Sequence, residues 1–187
     1  SHGIDYRSLM PTNLYGVGDN YHLKNSHVIP ALLRKFHEAK INKSNFVKVW
    51  GSGNVKREFL YVDDLAKACL HIMNLTKEEF NNLHRSKIGH INVGSGHEIS
   101  IKDLANEIKY IVGFEGDIHF DSSKPEGTPL KYLDSSSINK SGWSPEISLR
   151  NGLKYTYSNF AKNCQNIINS EFIDIKETLF REFKNIK

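Results

Sequence analysis

Cysteine is scarce here. Only Cys69 and Cys164 occur, far apart and each inside a helix-like stretch. Two such residues give no disulfide framework and fit a reducing compartment, so a cytoplasmic protein is expected. Long apolar runs are also lacking. Neither a signal peptide nor a stretch of about 18 apolar residues is present, so export and membrane spanning are not expected. No strong charge of one sign occurs either. The balance of 25 Lys and Arg against 21 Asp and Glu leaves +4, enough to favour an anionic ligand but too dispersed for nucleic acid.

Catalytic fingerprints are missing in turn. No G-x-G-x-x-G follows a strand, since Gly16–Gly18 and Gly51–Gly53 both lack the third glycine, and no Walker A sequence occurs. None of the eight tyrosines is followed four places later by lysine, so a Tyr-x-x-x-Lys pair for hydride transfer is absent. The nine histidines show neither H-E-x-x-H spacing nor a Cys/His cluster, and no metal site is expected. A complete hydride-transfer enzyme is not contained in these residues.

What is present alternates between strand and helix patterns. "IDYRSLM" reads as a strand, "PTNLYGVGDNYHLKNS" as a loop, and "HVIPALLRKFHEAK" as a helix over roughly 27–40. Ser26 suits its N-cap and Pro30 its first turn, while Ile29, Leu32, Leu33 and Phe36 form one apolar stripe. "NFVKVW", "REFLYV", "HINVG" and "DIHFD" read as further strands. "LAKACLHIMNL" reads as a helix capped by an aspartate, and "IKDLANEIKYIV" as one running from a Ser100 cap to Gly113. "SLRNGLKYTYSNFAKN" and the last twenty residues read as two more helices. The 187 residues suit one α/β domain, or one domain with a piece of another.

The chemistry-bearing residues point toward an anion. His27 opens a helix where the dipole is positive, and Arg34, almost two turns on, projects from nearly the same side, with Lys35 beside it. Trp50 ends a strand, and Lys56 and Arg57 follow a Gly-Ser-Gly turn. An aromatic plane beside basic groups is a platform for a nucleotide base and its phosphates. Lys124 and Lys131 bracket the loop "KPEGTPLK". Each residue also has a plainer reading: His27 as a cap or solvated side chain, Trp50 as core, the lysines as surface charges. Asp63 and Asp64 could be paired acid/base carboxylates, or simply the cap of a helix.

Taken in order, "MPTNLYG", "DNYHLKNSHVIPALLRKFHEA", "VWGSG", "REFLYVDDLAKA", "HINVGSG" and "DSSKPEGTPLKYLD" resemble the C-terminal half of bacterial GDP-L-fucose synthases, which are extended short-chain dehydrogenases. The resemblance runs from about residue 3 to about residue 165. It implies a substrate-binding domain plus the last strands of an incomplete Rossmann-type parallel sheet, with residues 4–14 and 90–96 in that sheet. Residues 170–187 would be a C-terminal extension, and the NADP-binding N-terminal half would be absent. The implied reaction is NADP-dependent epimerisation of GDP-4-keto-6-deoxy-D-mannose at C3 and C5 followed by reduction at C4. The alternatives are another nucleotide-sugar epimerase or dehydratase, or a non-enzymatic truncated nucleotide-binding module. By the same resemblance His27 is the catalytic acid and also touches the cofactor, while Pro11, Thr12, Asn13 and Leu14 lie along the nicotinamide end of NADP. Lys35, Trp50, Arg57 and Lys131 would hold the GDP-sugar. The catalytic cysteine of the family matches neither Cys69 nor Cys164, so the chain alone is expected to be inactive. The resemblance separately implies a homodimer for the full-length enzyme, with the dimer-forming helices in the other half.

Overall fold

A computed structural model describes residues 5–22, 25–83, 90–124 and 127–165. Three small sheets and six helices make up the described residues, and no sheet closes into a barrel. The first sheet pairs β1 (Ser8–Pro11) with β5 (His90–Val93) in parallel, and Thr12 N–H extends the ladder to the Val93 carbonyl at 3.0 Å. The second is built on β4 (Lys56–Tyr61). Its C-terminal half pairs in parallel with β2 (Asn13–Tyr15). Its N-terminal half lies between β6 (Glu98–Ser100), which is antiparallel, and β8 (Leu130–Lys131), which is parallel. In the third, β3 (Phe46–Trp50) and β7 (Asp117–Asp121) are parallel over five residues. Parallel pairs joined by helices, with one antiparallel edge, are what an incomplete Rossmann-like α/β fold provides.

The helices are α1 (Val28–Ile41), α2 (Val62–Asn74), α3 (Lys77–Leu83), α4 (Ile101–Val112), α5 (Ser136–Lys140) and α6, helical over 149–165. Helix α4 keeps the bounds its sequence sets. Ser100 accepts the Asp103 N–H at 3.0 Å, and Gly113 ends the helix at φ +70°, a conformation costly for any residue with a Cβ. Two expected caps differ. Helix α1 begins one residue late, with His27 and not Ser26 at the N-cap and no side-chain cap bond. In α2 the N-cap is Tyr61, so Asp63 and Asp64 sit inside the first turn. There they favour the dipole, and the buried Asp64 accepts the Ile147 N–H at 3.0 Å.

Two apolar clusters hold these pieces. The larger joins Ile29, Leu32, Leu33 and Phe36 of α1 to Leu104 and Ile108 of α4 and Leu153 and Phe160 of α6. The smaller joins Ala68 and Ile72 of α2 to Ile91 and Val93 of β5 and Ile138 of α5. Fully burying one such side chain stabilises the fold by about 1.5–3 kcal/mol. The larger cluster fixes α1 against the β4 sheet, which sets where His27 stands. The segment expected to be a loop after β1 contains β2, because its hydrogen bonds go to a strand more than forty residues away. The last helix expected from the sequence, and the extension 170–187, lie outside the described residues.

Candidate functional site

A cavity of about 440 Å³ opens where β1 runs into β2, beside the start of α1 and the middle of β4. It is lined by Thr12, Asn13, Leu14, Asp19, His27, Val28, Ile29, Pro30, Arg57 and Phe59. Five residues singled out from the sequence, Thr12, Asn13, Leu14, His27 and Arg57, thus meet in one place. Each arrives for a local reason. Thr12 Oγ1 and Asn13 Nδ2 both donate to the Glu58 carbonyl, at 3.2 and 2.8 Å, and Leu14 is in register with Leu60. Arg57 and Phe59 are two apart on β4 and share a side of the strand.

His27 is exposed at the N-cap of α1. Its ring makes no capping hydrogen bond, so the capping reading falls and the imidazole remains available to the cavity. The free N–H groups of the first turn and the helix dipole favour an anion at this end. Asp19 supplies the single carboxylate of the lining. Burial raises its carboxyl above the ordinary value, while the Asn20 N–H and the charge of His27 oppose that shift. Arg57 spends part of its guanidinium on backbone, donating to the Lys56 carbonyl at 2.7 Å and the Thr128 carbonyl at 2.6 Å.

The other expected site residues lie outside the lining of this cavity. Pro11 is half-buried at the end of β1, next to Thr12. Lys131 is exposed on β8, in register with Arg57. Trp50 is 63% exposed, which removes the core reading. The ammonium groups of Lys35 and Lys124 lie 5.2 and 5.9 Å from its ring centre. Lys35 also donates to the Lys48 carbonyl at 3.3 Å, and burial lowers its pKa. A flat exposed ring with two cations on it is a stacking surface for an aromatic, negatively charged ligand.

Arg34, grouped with His27 by helical spacing, is a different kind of residue. It is buried, donating to the Tyr21 carbonyl at 2.8 Å and to Glu38 at 2.6 Å, and it ties the loop before α1 to the helix. Sequence reasoning missed Asp19, Val28, Ile29, Pro30 and Phe59. The alternation of Arg57 with Phe59 is a signal that could have found the last.

The lining mixes apolar Leu14, Val28, Ile29 and Phe59 with polar Thr12, Asn13 and His27 and the charged Asp19 and Arg57. A glycine cradle for a pyrophosphate is not in this sequence. Among the described residues no group of three or more His, Cys, Asp or Glu could hold a metal, and no helix is long and apolar enough to cross a membrane.

The fold defines an α/β protein of incomplete Rossmann-like type, with a cavity at the start of α1. The chain belongs to the NAD dependent epimerase/dehydratase family, whose model matches residues 1–94, half of the sequence. It is 52% identical over 162 residues to GDP-L-fucose synthase of Escherichia coli (strain K12), covering 87% of this chain and 50% of that protein. It is 50% identical over 165 residues to GDP-L-fucose synthase 1 of Arabidopsis thaliana, covering 88% and 48%. The fold is similar, with a TM-score of 0.72 and 33% identity, to MlghC, a GDP-mannoheptose C4 reductase from Campylobacter jejuni solved with NADP bound, over 86% of this chain and 54% of that one. The chain spans about half the length of the curated relatives it matches.

Proposed function

We propose that this chain is the GDP-sugar-binding part of a GDP-L-fucose synthase, the enzyme that epimerises GDP-4-keto-6-deoxy-D-mannose at C3 and C5 and reduces it at C4. The observation that carries the reading is the cavity that gathers Thr12, Asn13, Leu14, His27 and Arg57. The names of its relatives support GDP-L-fucose as the product, and the relative solved with NADP supports that cofactor.

Within this reading each group has a task. Protons beside a keto group are acidic, so inversion needs one group to remove a proton and another to return it on the opposite face. The exposed imidazole of His27 returns it, and the removing group comes from the N-terminal half of the complete enzyme. Arg57 and Lys131, on neighbouring strands, neutralise the diphosphate, and Trp50 with Lys35 receives the guanine. Thr12, Asn13 and Leu14, with Pro11 behind them, shape the wall for the nicotinamide end. NADPH, when bound, supplies the hydride for the C4 reduction. The glycine fingerprint and the Tyr/Lys pair are not in these residues, so turnover belongs to the complete enzyme. Of the spans 4–14 and 90–96, the β1–β5 pair is assigned to its nucleotide-binding sheet, while β2 belongs to the β4 sheet and residue 4 lies outside the described residues. The complete enzyme is taken to be a homodimer of the cytoplasm, and the free Cys69 and Cys164 accord with a reducing compartment.

The test is NADPH oxidation by the complete enzyme with GDP-4-keto-6-deoxy-D-mannose. GDP-L-fucose as the product, carrying solvent deuterium at C3 and C5, is the expected result. Absence of turnover by a folded complete enzyme overturns the proposal. A second reading, a GDP-sugar C4 reductase without epimerisation, is favoured by the likeness to MlghC. It predicts reduction of the keto-sugar with no deuterium incorporated.

A further inference from the structure

The residue on which the site converges is not one that touches the cavity. Glu58 is 0% exposed, in the middle of β4 between Arg57 and Phe59. Its Oε1 accepts the Gly96 N–H at 2.8 Å, and its Oε2 accepts the Leu133 N–H at 3.2 Å. Its backbone carbonyl receives Thr12 and Asn13. One residue therefore fastens three segments: the β1–β2 junction, the turn after β5, and the chain leaving β8.

That last attachment matters most for a ligand. β8 is only two residues long, and Lys131 lies opposite Arg57 within it. Leu133 follows two residues later. Arg57 grips the near side of the strand through the Thr128 carbonyl, and Glu58 grips the far side through Leu133. A strand of two residues has too few ladder bonds to hold its own register, so the carboxylate supplies what the ladder lacks. Gly94 shows how closely the fold is built around that carboxylate. A Cβ at position 94 would overlap Glu58 Oε1, and its two other near neighbours are also atoms of the same carboxylate.

We infer that Glu58 is a positioning residue for the phosphate-binding pair, holding Lys131 beside Arg57 through the paired bonds of its carboxylate to Gly96 and Leu133. The inference rests on the reading that Arg57 and Lys131 receive the GDP moiety. Glu58→Gln tests it, because an amide nitrogen cannot accept from an N–H, so one of the two bonds must be lost while size is kept. Gly94→Ala tests it from the other side, displacing the carboxylate without altering any charge.

The experiment measures GDP and NADP affinities of the complete enzyme by titration calorimetry, alongside thermal unfolding. Glu58→Gln and Gly94→Ala are each expected to weaken GDP about tenfold, the scale of one lost charge-assisted hydrogen bond. NADP affinity should change less than about twofold, because the Glu58 carbonyl and its bonds to Thr12 and Asn13 remain. The double variant should be scarcely weaker for GDP than either single one, since both remove the same link. A role in stability alone would lower the unfolding temperature without this split between the two ligands, and that outcome overturns the inference. Wild-type GDP affinity in both single variants overturns it equally. If Glu58→Gln fails to fold, Gly94→Ala decides by the same split. A wild-type enzyme that binds no GDP refutes the underlying reading instead, so the two failures are distinct.

Discussion

At the scale of single residues, His27 is the sharpest case. Its type and spacing placed it at a helix start, but three readings of it survived in the sequence. The structure removes one of them, because the ring makes no capping bond, and places the imidazole on a cavity with four other expected residues. His27→Gln in the complete enzyme should therefore slow deuterium exchange at C3 and C5 by about a hundredfold or more, the usual worth of a positioned acid. NADPH affinity should stay within about threefold, measured by fluorescence titration. Wild-type exchange would return His27 to a merely solvated side chain. Arg34 shows why spacing alone misleads. Seven residues fix the side of a helix, yet only the fold reveals that the Tyr21 carbonyl occupies that side and consumes the guanidinium.

At the scale of elements, legibility followed how local the determining contacts are. Helix α4 could be bounded from sequence because its cap and its αL glycine lie within its own ends. Strands β2 and β8 could not, because each is short and exists only by pairing with β4 across a long separation. The contact between α1 and α6 carries a pH dependence. His37 on α1 is buried against Phe160 and Tyr157, with the Tyr157 hydroxyl 3.1 Å from its Nδ1. Burial lowers its pKa from 6.5, with Lys40 acting in the same direction and Glu38 opposing. The folded chain therefore resists a proton that the unfolded chain accepts. The stability contributed by neutral His37 is present above the ordinary imidazole value and is lost as pH falls below it. Unfolding midpoints should drop between about pH 7 and pH 5, and His37→Gln should flatten that drop. An unchanged pH profile in the variant would assign the drop to other groups.

At the scale of the whole molecule, the two apolar clusters divide the work. The larger supports the cavity and the helix that presents His27, and the smaller holds the β1–β5 pair against α2 and α5. Phe36 is fully buried in the first and stacks edge-on with Phe114 at 5.7 Å. Phe36→Ala should cost about 3–5 kcal/mol in denaturant unfolding, whereas Ile138→Val in the second should cost about 0.5–1.5 kcal/mol. The α/β class was legible from alternating strand and helix patterns, and a parallel sheet only through the family resemblance. The division of the strands into three small sheets was not, because strand partners are chosen by tertiary packing and leave no local mark.

The sequence holds only two tryptophans, and the fold sorts them to opposite extremes of accessibility. Trp143 is 7% exposed in the smaller cluster, while Trp50 is 63% exposed beneath two ammonium groups. Within this chain a dissolved quencher reaches one indole and is kept from the other. An anionic quencher is drawn to Trp50 by its lysines more strongly than a neutral one of the same size. The contrast between the two quenchers gives the stacking surface an optical readout of its own, one that needs neither a label nor turnover.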